Sequence, residues 1–308
     1  MIELKASEIA KIVGGELIGG DTTVTAAPVF NSSQATEGSI FLALVGEKTD
    51  GHKFVSDAFA HGAVLALVTN EVPERCIVVK DVLAALNSLA SYVRQALPEL
   101  KVIALTGSQG KTTSKDLLRH ILETVAPTVA PAGNFNNELG APITLLECDE
   151  KTRFCILEMG ARHVGDIAKL CQMATPDIGV VLRVGTAHVG EFGSEELVAK
   201  AKSEMISSLK DSAIAVLGQY DKYTPAMASL HSGATVTFGE TTSADVRATD
   251  IEIREGRPHF DLVTPAGRAS VGLRIVGIHQ VANALAAAAI ATNLKISIDL
   301  IAGALSTA

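Results

Sequence analysis

The chain has 308 residues, which is enough for about two domains, and 47% of them are hydrophobic. Aromatic residues make up only 4%, tryptophan is absent and the formal net charge is −8, so a DNA- or RNA-binding surface is not expected. The four cysteines show no CxxC spacing, which favours small core residues of a reducing compartment over disulfides or zinc ligands. The N-terminus has no signal-peptide layout, and the longest apolar run, 284–291, is far shorter than the roughly 20 residues that span a bilayer. These features predict a soluble, cytoplasmic protein.

Residues 1–98 are predicted to form a first α/β domain. Short apolar runs indicate strands at 40–45, 64–68 and 76–79, and a helical pattern follows at 82–96. Pro98 comes directly after this pattern, so we expect the helix to end there and a second domain, 99–308, to begin.

In the second part of the chain, strands are predicted to alternate with helices. Strand candidates lie at 102–105, 154–157, 178–182 and 214–217, and this alternation predicts an α/β fold with a mainly parallel sheet flanked by helices. Residues 246–255 and 259–263 are expected to form an antiparallel appendage. A helix at 280–291 and a short final helix are predicted to follow.

The most informative segment is Leu105-Thr106-Gly107-Ser108-Gln109-Gly110-Lys111-Thr112-Thr113, between a predicted strand and a predicted helix. Backbone N–H groups of such a turn and the positive end of the helix dipole attract phosphate. Lys111 can add a positive charge, and the Thr112 hydroxyl can bind Mg²⁺. The segment therefore predicts a nucleoside triphosphate site. The alternative is an ordinary strand-to-helix turn, because Leu105 stands where the full phosphate-loop pattern has a second glycine.

Two polar residues follow predicted strands on the side where ligands bind in parallel sheets. Glu158 comes directly after strand 154–157, and its carboxylate can hold Mg²⁺ opposite Thr112. His188 follows strand 178–182 and can ligate a metal or contact a phosphate. The alternatives, a solvated loop glutamate and a surface histidine, remain open.

The helix expected after Ser194 carries two lysines. The residues Leu197, Ala201, Met205 and Leu209 predict its buried stripe. Lys202 falls at the edge of this stripe and could point into a site, whereas Lys200 faces away. The alternative for either lysine is a charged group at a helix surface.

Asn283 lies early in the predicted helix 280–291. Its amide offers both a donor and an acceptor and could bind a purine edge. A polar residue at a helix start is the structural alternative, and the spacing does not decide between them.

Taken together, these segments resemble the Mur ligase family of ATP-dependent amide-forming enzymes, over essentially the whole chain. The carrying segments are Thr106 to Thr113, Gly133-Asn134-Phe135-Asn136-Asn137-Glu138-Leu139-Gly140-Ala141-Pro142, Glu158-Met159-Gly160-Ala161-Arg162 and Ala187-His188-Val189-Gly190-Glu191-Phe192-Gly193-Ser194. The last three are most similar to the branch that adds D-alanyl-D-alanine to a UDP-muramoyl tripeptide. The run from Phe41 to Phe54 resembles the first domain of that branch, which holds the UDP-sugar.

The resemblance implies ATP and Mg²⁺ as cofactors and an acyl phosphate as intermediate. It implies that ATP is bound by Gly107, Ser108, Gln109, Gly110, Lys111, Thr112 and Thr113, with Asn283 on the adenine. Metal ligands would be Thr112, Glu158, His188 and a carbamylated Lys202, and the catalytic residues would be Lys111, His188 and Lys202. Ser32, Asn136 and Asn137 would contact the substrate. A monomer that binds a UDP-sugar peptide and D-alanyl-D-alanine, and no nucleic acid, is expected.

The sequence also departs from the family pattern. Asn31-Ser32-Ser33 stands where Asp-Ser-Arg is usual, Gln280 replaces an asparagine, and Leu217-Gly218-Gln219-Tyr220-Asp221 replaces a Leu-Asn-x-Asp-Asp segment. The chain ends where a third domain is expected to begin. We therefore expect that this chain alone could be inactive as a ligase. Two alternatives stay open, namely a sister ligase of muramyl peptide or folylpolyglutamate type and a truncated, non-catalytic nucleotide-binding protein.

Overall fold

The computed structural model describes residues 1–46, 49–133, 135–186 and 189–308. The contacts divide the chain into two compact units, Met1–Glu99 with Glu138–Lys151, and Leu100–Asn137 with Thr152–Ala308. Each unit therefore consists of two separate stretches of the chain. The segment Glu138–Lys151 belongs to the first unit although it lies within the sequence of the second.

The first unit is a small α/β unit. Its elements up to residue 99 are β1 (Leu4–Lys5), α1 (Ala6–Val13), β2 (Glu16–Ile18), β3 (Thr23–Val24), β4 (Ile40–Leu42), α2 (Val55–Ala60), β5 (Leu65–Val68), β6 (Cys76–Val78) and α3 (Val82–Ala96). The sheet order is β2-β6-β5-β4, with β2 antiparallel to β6 and the other pairs parallel. Helix α3 has the predicted bounds. It begins at Val82 because Asp81 Oδ1 accepts hydrogen bonds from the N–H groups of Leu83 and Ala84 and so caps its first turn.

The remaining elements alternate between strands and helices as predicted up to residue 218, but from there to residue 272 strands follow one another without an α-helix between them. They are β7 (Lys101–Thr106), α4 (Lys111–Glu123), β8 (Thr128–Val129), α5 (Gly140–Leu146), β9 (Phe154–Glu158), α6 (Asp166–Ala174), β10 (Ile178–Val181), α7 (Val189–Phe192), α8 (Glu195–Ser207), β11 (Ile214–Gly218), β12 (Ala234–Gly239), β13 (Val246–Arg254), β14 (Arg257–Thr264), β15 (Gly267–Gly272), α9 (Gln280–Asn293) and α10 (Ile298–Leu305). Helix α5 belongs to the first unit, and the others belong to the second.

One large sheet organises the second unit. Its order is β15-β14-β13-β12-β11-β10-β7-β9-β8, and every neighbouring pair from β13 to β8 is parallel. The α/β fold with a mainly parallel sheet is thus confirmed. Strand β7 lies between β9 and β10, where the strand order reverses, and ligands of such sheets bind at the carboxyl ends of the strands beside this point.

The apolar run 284–291 forms the buried part of α9, and all its residues are fully buried. This helix packs against α4 in the main core. Burial on all sides explains why the run lacks the polar face of a surface helix. Within the described residues, no helix is long and apolar enough to cross a membrane.

The antiparallel pairing predicted for residues 246–255 and 259–263 is confirmed by β13 and β14, but the prediction that they form an appendage was wrong. Strand β13 pairs in parallel with β12 through Phe238↔Val246 and Gly239↔Arg247, so β13, β14 and β15 extend the large sheet. The prediction failed because β12 and β15 were not recognised. The four cysteines are buried, as expected.

Candidate active site

The segment after β7 forms the turn that the sequence predicts. Strand β7 is buried from Val102 to Thr106, and α4 begins at Lys111. Leu105 is fully buried in the sheet core, so this position serves the strand and not the turn. Gly110 precedes the helix with a φ of 86°, in the left-handed region that glycine adopts without strain. A Cβ atom there would lie 2.3 Å from Asn283 Oδ1, so a side chain would also collide with α9.

Two neighbouring loops hold this turn in place. The Ser108 N–H donates to the carbonyl of Arg183 (2.9 Å), and Ser108 Oγ accepts from the Gly185 N–H (2.9 Å). The carboxylate of Asp221 in turn accepts a hydrogen bond from the Val184 N–H over 2.9 Å. The segment 183–185 is therefore held by Ser108 of the turn and by Asp221 of the loop after β11.

Lys111 lies over the turn. Its Nζ donates to the Gly107 carbonyl over 2.8 Å. Burial lowers the pKa of Lys111, and the negative charge of Glu158 partly offsets this effect. Within the same segment, Gln109 is exposed and Thr113 is half-buried on the first turn of α4. The structure thus brings the predicted loop residues to one end of β7.

Glu158 lies beside the first turn of α4. The Thr112 hydroxyl donates to Glu158 Oε2 over 3.1 Å, and Asn136 Nδ2 donates to Glu158 Oε1 over 2.9 Å. The Glu158 side chain is almost completely buried, and the Gly160 N–H donates to the Asn136 carbonyl over 2.7 Å. Asn136, predicted as a substrate contact, therefore supports the predicted metal-binding carboxylate, while Asn137 is exposed.

This donor set suits a hard cation. A carboxylate oxygen and a hydroxyl oxygen lie together next to a phosphate-type turn, and Mg²⁺ is commonly held by one or two protein oxygens together with phosphate and water. In the described parts of the chain, no group of three or more histidine, cysteine or acidic residues could hold a metal ion. The predicted ligand His188 lies outside the described residues.

Lys202 is buried on α8, whereas Lys200 is exposed. Burial, together with the positive charge of Lys111, lowers the pKa of Lys202 to about 7. Lys202 therefore belongs to the same charged environment as the phosphate-type turn. Its burial is what the sequence analysis expected for a lysine that points into a site.

The predicted buried stripe of α8 was partly wrong. Leu197 is 41% exposed, and the buried face runs through Val198, Ala201, Lys202 and Met205. A strict four-residue spacing drifts by about 40° per step around a helix of 3.6 residues per turn, so its outer members turn away from the core.

Asn283 packs against the start of α4. Its Oδ1 accepts a hydrogen bond from Ser114 Oγ (3.3 Å), and its Nδ2 donates to Gln280 Oε1 (2.8 Å). Gln280 thus holds this amide in place at the position where the family has asparagine. The adenine contact of Asn283 stays a prediction.

Ser32 lies in the first unit, where it is buried in a short 3₁₀ turn, Ser32–Gln34. Asn31 Oδ1 accepts hydrogen bonds from the N–H (3.2 Å) and the hydroxyl (2.9 Å) of Ser33. An aspartate could accept the same two bonds, so the exchange at residue 31 preserves the turn. The exchange at residue 33 removes the cation of the family pattern.

The sequence analysis missed three charged residues that shape the site. Lys115 is buried on α4, Asp221 anchors the segment 183–185, and Glu204 on α8 accepts hydrogen bonds from the N–H groups of Gly165 and Ala168 at the start of α6. Lys115 could have been found from the sequence, because it interrupts the apolar stripe of a predicted helix. The other two depend on tertiary contacts that no local pattern encodes.

The parallel sheet and the phosphate-type turn at its switch point define a nucleotide-binding protein of the phosphate-loop class. Residues 105–291 match the family model of the Mur ligase middle domain, which covers more than half of the chain. The chain belongs to the Mur ligase family.

Individual relatives agree with this assignment. The chain is 40% identical over its whole length to the UDP-N-acetylmuramoyl-tripeptide–D-alanyl-D-alanine ligase of Mycobacterium bovis, of which it covers 66%. The crystal structure of MurF from Acinetobacter baumannii superposes with a TM-score of 0.91 at 36% identity, covering 99% of this chain and 68% of that one. MurF of Thermotoga maritima in complex with ADP gives 0.80 at 30% identity, covering 92% and 66%. The chain thus spans about two thirds of the length of these relatives.

Proposed function

We propose that this chain belongs to an ATP-dependent ligase that joins D-alanyl-D-alanine to UDP-N-acetylmuramoyl-tripeptide in peptidoglycan precursor synthesis. The observation that carries the proposal is the hydrogen-bonded pair Thr112 and Glu158 at a phosphate-type turn, with Lys111 above the turn. The name of the 40% identical relative supplies the substrates.

The nucleotide is proposed to bind at the N-terminus of α4. Backbone N–H groups of Gly107 to Lys111 and the helix dipole would hold the phosphates. Thr112 and Glu158 would hold Mg²⁺, which when bound neutralises charge on the phosphoryl oxygens. ADP in the Thermotoga maritima relative supports a nucleotide site in this fold.

The proposed reaction is the one that membership of the Mur ligase family implies, and it has two steps. A carboxylate oxygen of the tripeptide attacks the γ-phosphorus of ATP, ADP leaves, and an acyl phosphate forms. The amine of D-alanyl-D-alanine then attacks the acyl carbon, phosphate leaves, and the amine loses a proton as the amide forms. Lys111 would stabilise the charge of the phosphoryl group during its transfer, and the chain acts mainly by positioning and charge neutralisation.

Lys202 is proposed to be carbamylated. Only the neutral amine of a lysine reacts with CO₂, and a pKa of about 7 makes a substantial neutral fraction available at neutral pH. The product is an anionic oxygen ligand, which suits Mg²⁺. His188 is proposed to serve the same metal region on sequence grounds alone.

The two parts of the chain are proposed to divide the substrates. Residues 1–98, with Ser32, would hold the UDP-sugar, and residues 99–308 would hold ATP, with Asn136 and Asn137 near the peptide. A cytoplasmic monomer remains part of the proposal, since both substrates are small and water-soluble.

The test measures phosphate release by the chain in the presence of ATP, Mg²⁺, UDP-muramoyl tripeptide and D-alanyl-D-alanine. Mass spectrometry determines the mass of the product. The expected product has the mass of tripeptide plus dipeptide minus water, and phosphate release requires both acceptor substrates. Release with a single amino acid in place of the dipeptide would identify a sister ligase instead. ADP binding without any ligation, both by this chain and by a version extended through any downstream domain, would favour a non-catalytic nucleotide-binding protein.

A further inference from the structure

Lys115 is a buried cation for which the proposed reaction has no use. It lies on α4 four residues after Lys111, and its side chain is only 2% exposed. Its Nζ donates to the carbonyls of Pro131 (2.8 Å) and Gly133 (2.9 Å). Asp116 Oδ1 lies 3.0 Å away, on a side chain that is largely exposed.

Burial of the Lys115 ammonium group destabilises the folded chain unless bonded partners compensate for the lost hydration. Leu118 and Leu122, three and seven residues further along α4, belong to the apolar core, so an apolar residue would fit the stripe at 115. Burying an ammonium group requires bonded partners, and the two carbonyls together with Asp116 provide them. The lysine therefore ties the helix of the phosphate-type turn to the segment 131–133.

That segment leads to the residue that holds Glu158. Asn136 follows Gly133 by three positions, and its Nδ2 bonds to Glu158 Oε1. The other carboxylate oxygen, Oε2, accepts from Thr112, which lies three residues before Lys115 on the same helix. Lys115 therefore holds the chain three residues before Asn136, and Asn136 and Thr112 hold the two oxygens of Glu158.

We propose that Lys115 is a positioning residue that sets the orientation of the Glu158 carboxylate through Asn136. When Asn136 holds Oε1, the other carboxylate oxygen, Oε2, faces Thr112. Glu158 Oε2 and the Thr112 hydroxyl oxygen would then be available together to the cation. Groups that orient a metal ligand change metal affinity by about 10- to 100-fold when they are removed. The inference rests on the proposed function, because it assumes a cation at Thr112 and Glu158.

The test measures ADP affinity by calorimetry, with Mg²⁺ and with EDTA, for the parent chain and for Lys115→Met. Mg²⁺ increases the ADP affinity of the parent by some factor, and this factor is expected to be about tenfold smaller in the variant. The ADP affinity in EDTA is expected to stay within about twofold of the parent value. A merely structural role would reduce both affinities alike and would overturn the inference. Leu262→Ala, a buried substitution on β14, controls for general loss of stability.

A double-mutant comparison separates action through Asn136 from independent action. In an Asn136→Ala background, Lys115→Met is expected to change the Mg²⁺ effect by less than about twofold, because the link to Glu158 is already broken. Additive losses would contradict the proposal. Lys115→Gln, whose amide can donate to one carbonyl, provides a milder variant if the methionine chain does not fold, and a smaller loss of the same kind is expected.

The parent chain distinguishes the two levels of failure. If Mg²⁺ does not alter ADP affinity in the parent, the proposed metal site fails. If Mg²⁺ strengthens binding in the parent and equally in Lys115→Met, only the role of Lys115 is rejected.

Discussion

Glu158 Oε2 accepts a hydrogen bond from the Thr112 hydroxyl over 3.1 Å, although 46 residues separate the two in sequence. The register of the sheet explains their meeting, because Glu158 lies opposite Leu105 in the parallel pair of β7 and β9. Adjacent parallel strands end at the same edge, so the first turn of α4 and the end of β9 meet there.

Replacing Glu158 with glutamine is expected to weaken Mg²⁺-dependent ADP binding by at least about tenfold. The amide keeps the shape of the side chain and can still bond to Thr112, but it removes the negative charge that attracts the cation. Calorimetry with Mg²⁺ and with EDTA measures the effect. Glu123→Gln, a surface change at the far end of α4, is the matched control and should leave the Mg²⁺ effect unchanged.

Replacing Lys111 with alanine is expected to abolish nucleotide turnover while the fold stays intact. The half-buried ammonium lies over the turn, and no other predicted loop residue carries a positive charge. Lys200→Ala, an exposed lysine on α8, is the control. Phosphate release measures the turnover of each variant, and a thermal melt measures its stability. Unchanged turnover in Lys111→Ala would contradict the assignment of this lysine to the nucleotide site.

The sequence predicted the features that depend on local pattern. The helical pattern at 82–96 and Pro98 predicted α3, and a buried strand that is succeeded by a glycine and a helix start predicted the turn at Gly110 and Lys111. Both signals lie within a few residues of the structure that they determine. The parallel sheet could be inferred because buried strands alternate with helices along the chain.

Features that depend on distant partners were not predictable. The bond from Asn136 to Glu158 requires the register of β7 and β9 together with the path of the segment before α5, and neither is encoded locally. The extension of the sheet by β13 was missed because β12, through which β13 joins the sheet, was not recognised as a strand. The exposure of Leu197 depends on which face of α8 meets the sheet.

Gly110→Ala is expected to weaken ADP binding strongly, because the new Cβ would lie 2.3 Å from Asn283 Oδ1 and would displace either the turn or the Asn283 side chain. The left-handed φ adds a cost of about 1 kcal/mol or more. Gly165→Ala is the matched control, since its φ of 102° is also left-handed but its Cβ would meet no atom within 4 Å. Both variants should lose stability in thermal melts, and only the first should lose ADP affinity. Similar ADP affinity in the two would contradict the collision argument.

The buried Lys202 should make stability depend on pH. In the unfolded chain this lysine keeps its proton up to a pH of about 10, whereas its pKa in the folded chain is about 7. Between these values the unfolded state binds more protons, so the contribution of Lys202 to the free energy of unfolding rises with pH. Below pH 7 the folded chain bears the full cost of a buried charge.

Lys202→Met removes this dependence, because methionine fills a similar volume without a charge. The variant is expected to be more stable than the parent at pH 6, and the difference should shrink by about 3 kcal/mol at pH 9. Denaturant unfolding in CO₂-free buffer with EDTA excludes carbamylation and metal binding, and Lys200→Met on the exposed face of α8 should follow the parent at both pH values. A difference between Lys202→Met and the parent that stays constant from pH 6 to pH 9 would mean that Lys202 holds its proton in the folded chain, and its carbamylation at neutral pH would then lose its chemical basis.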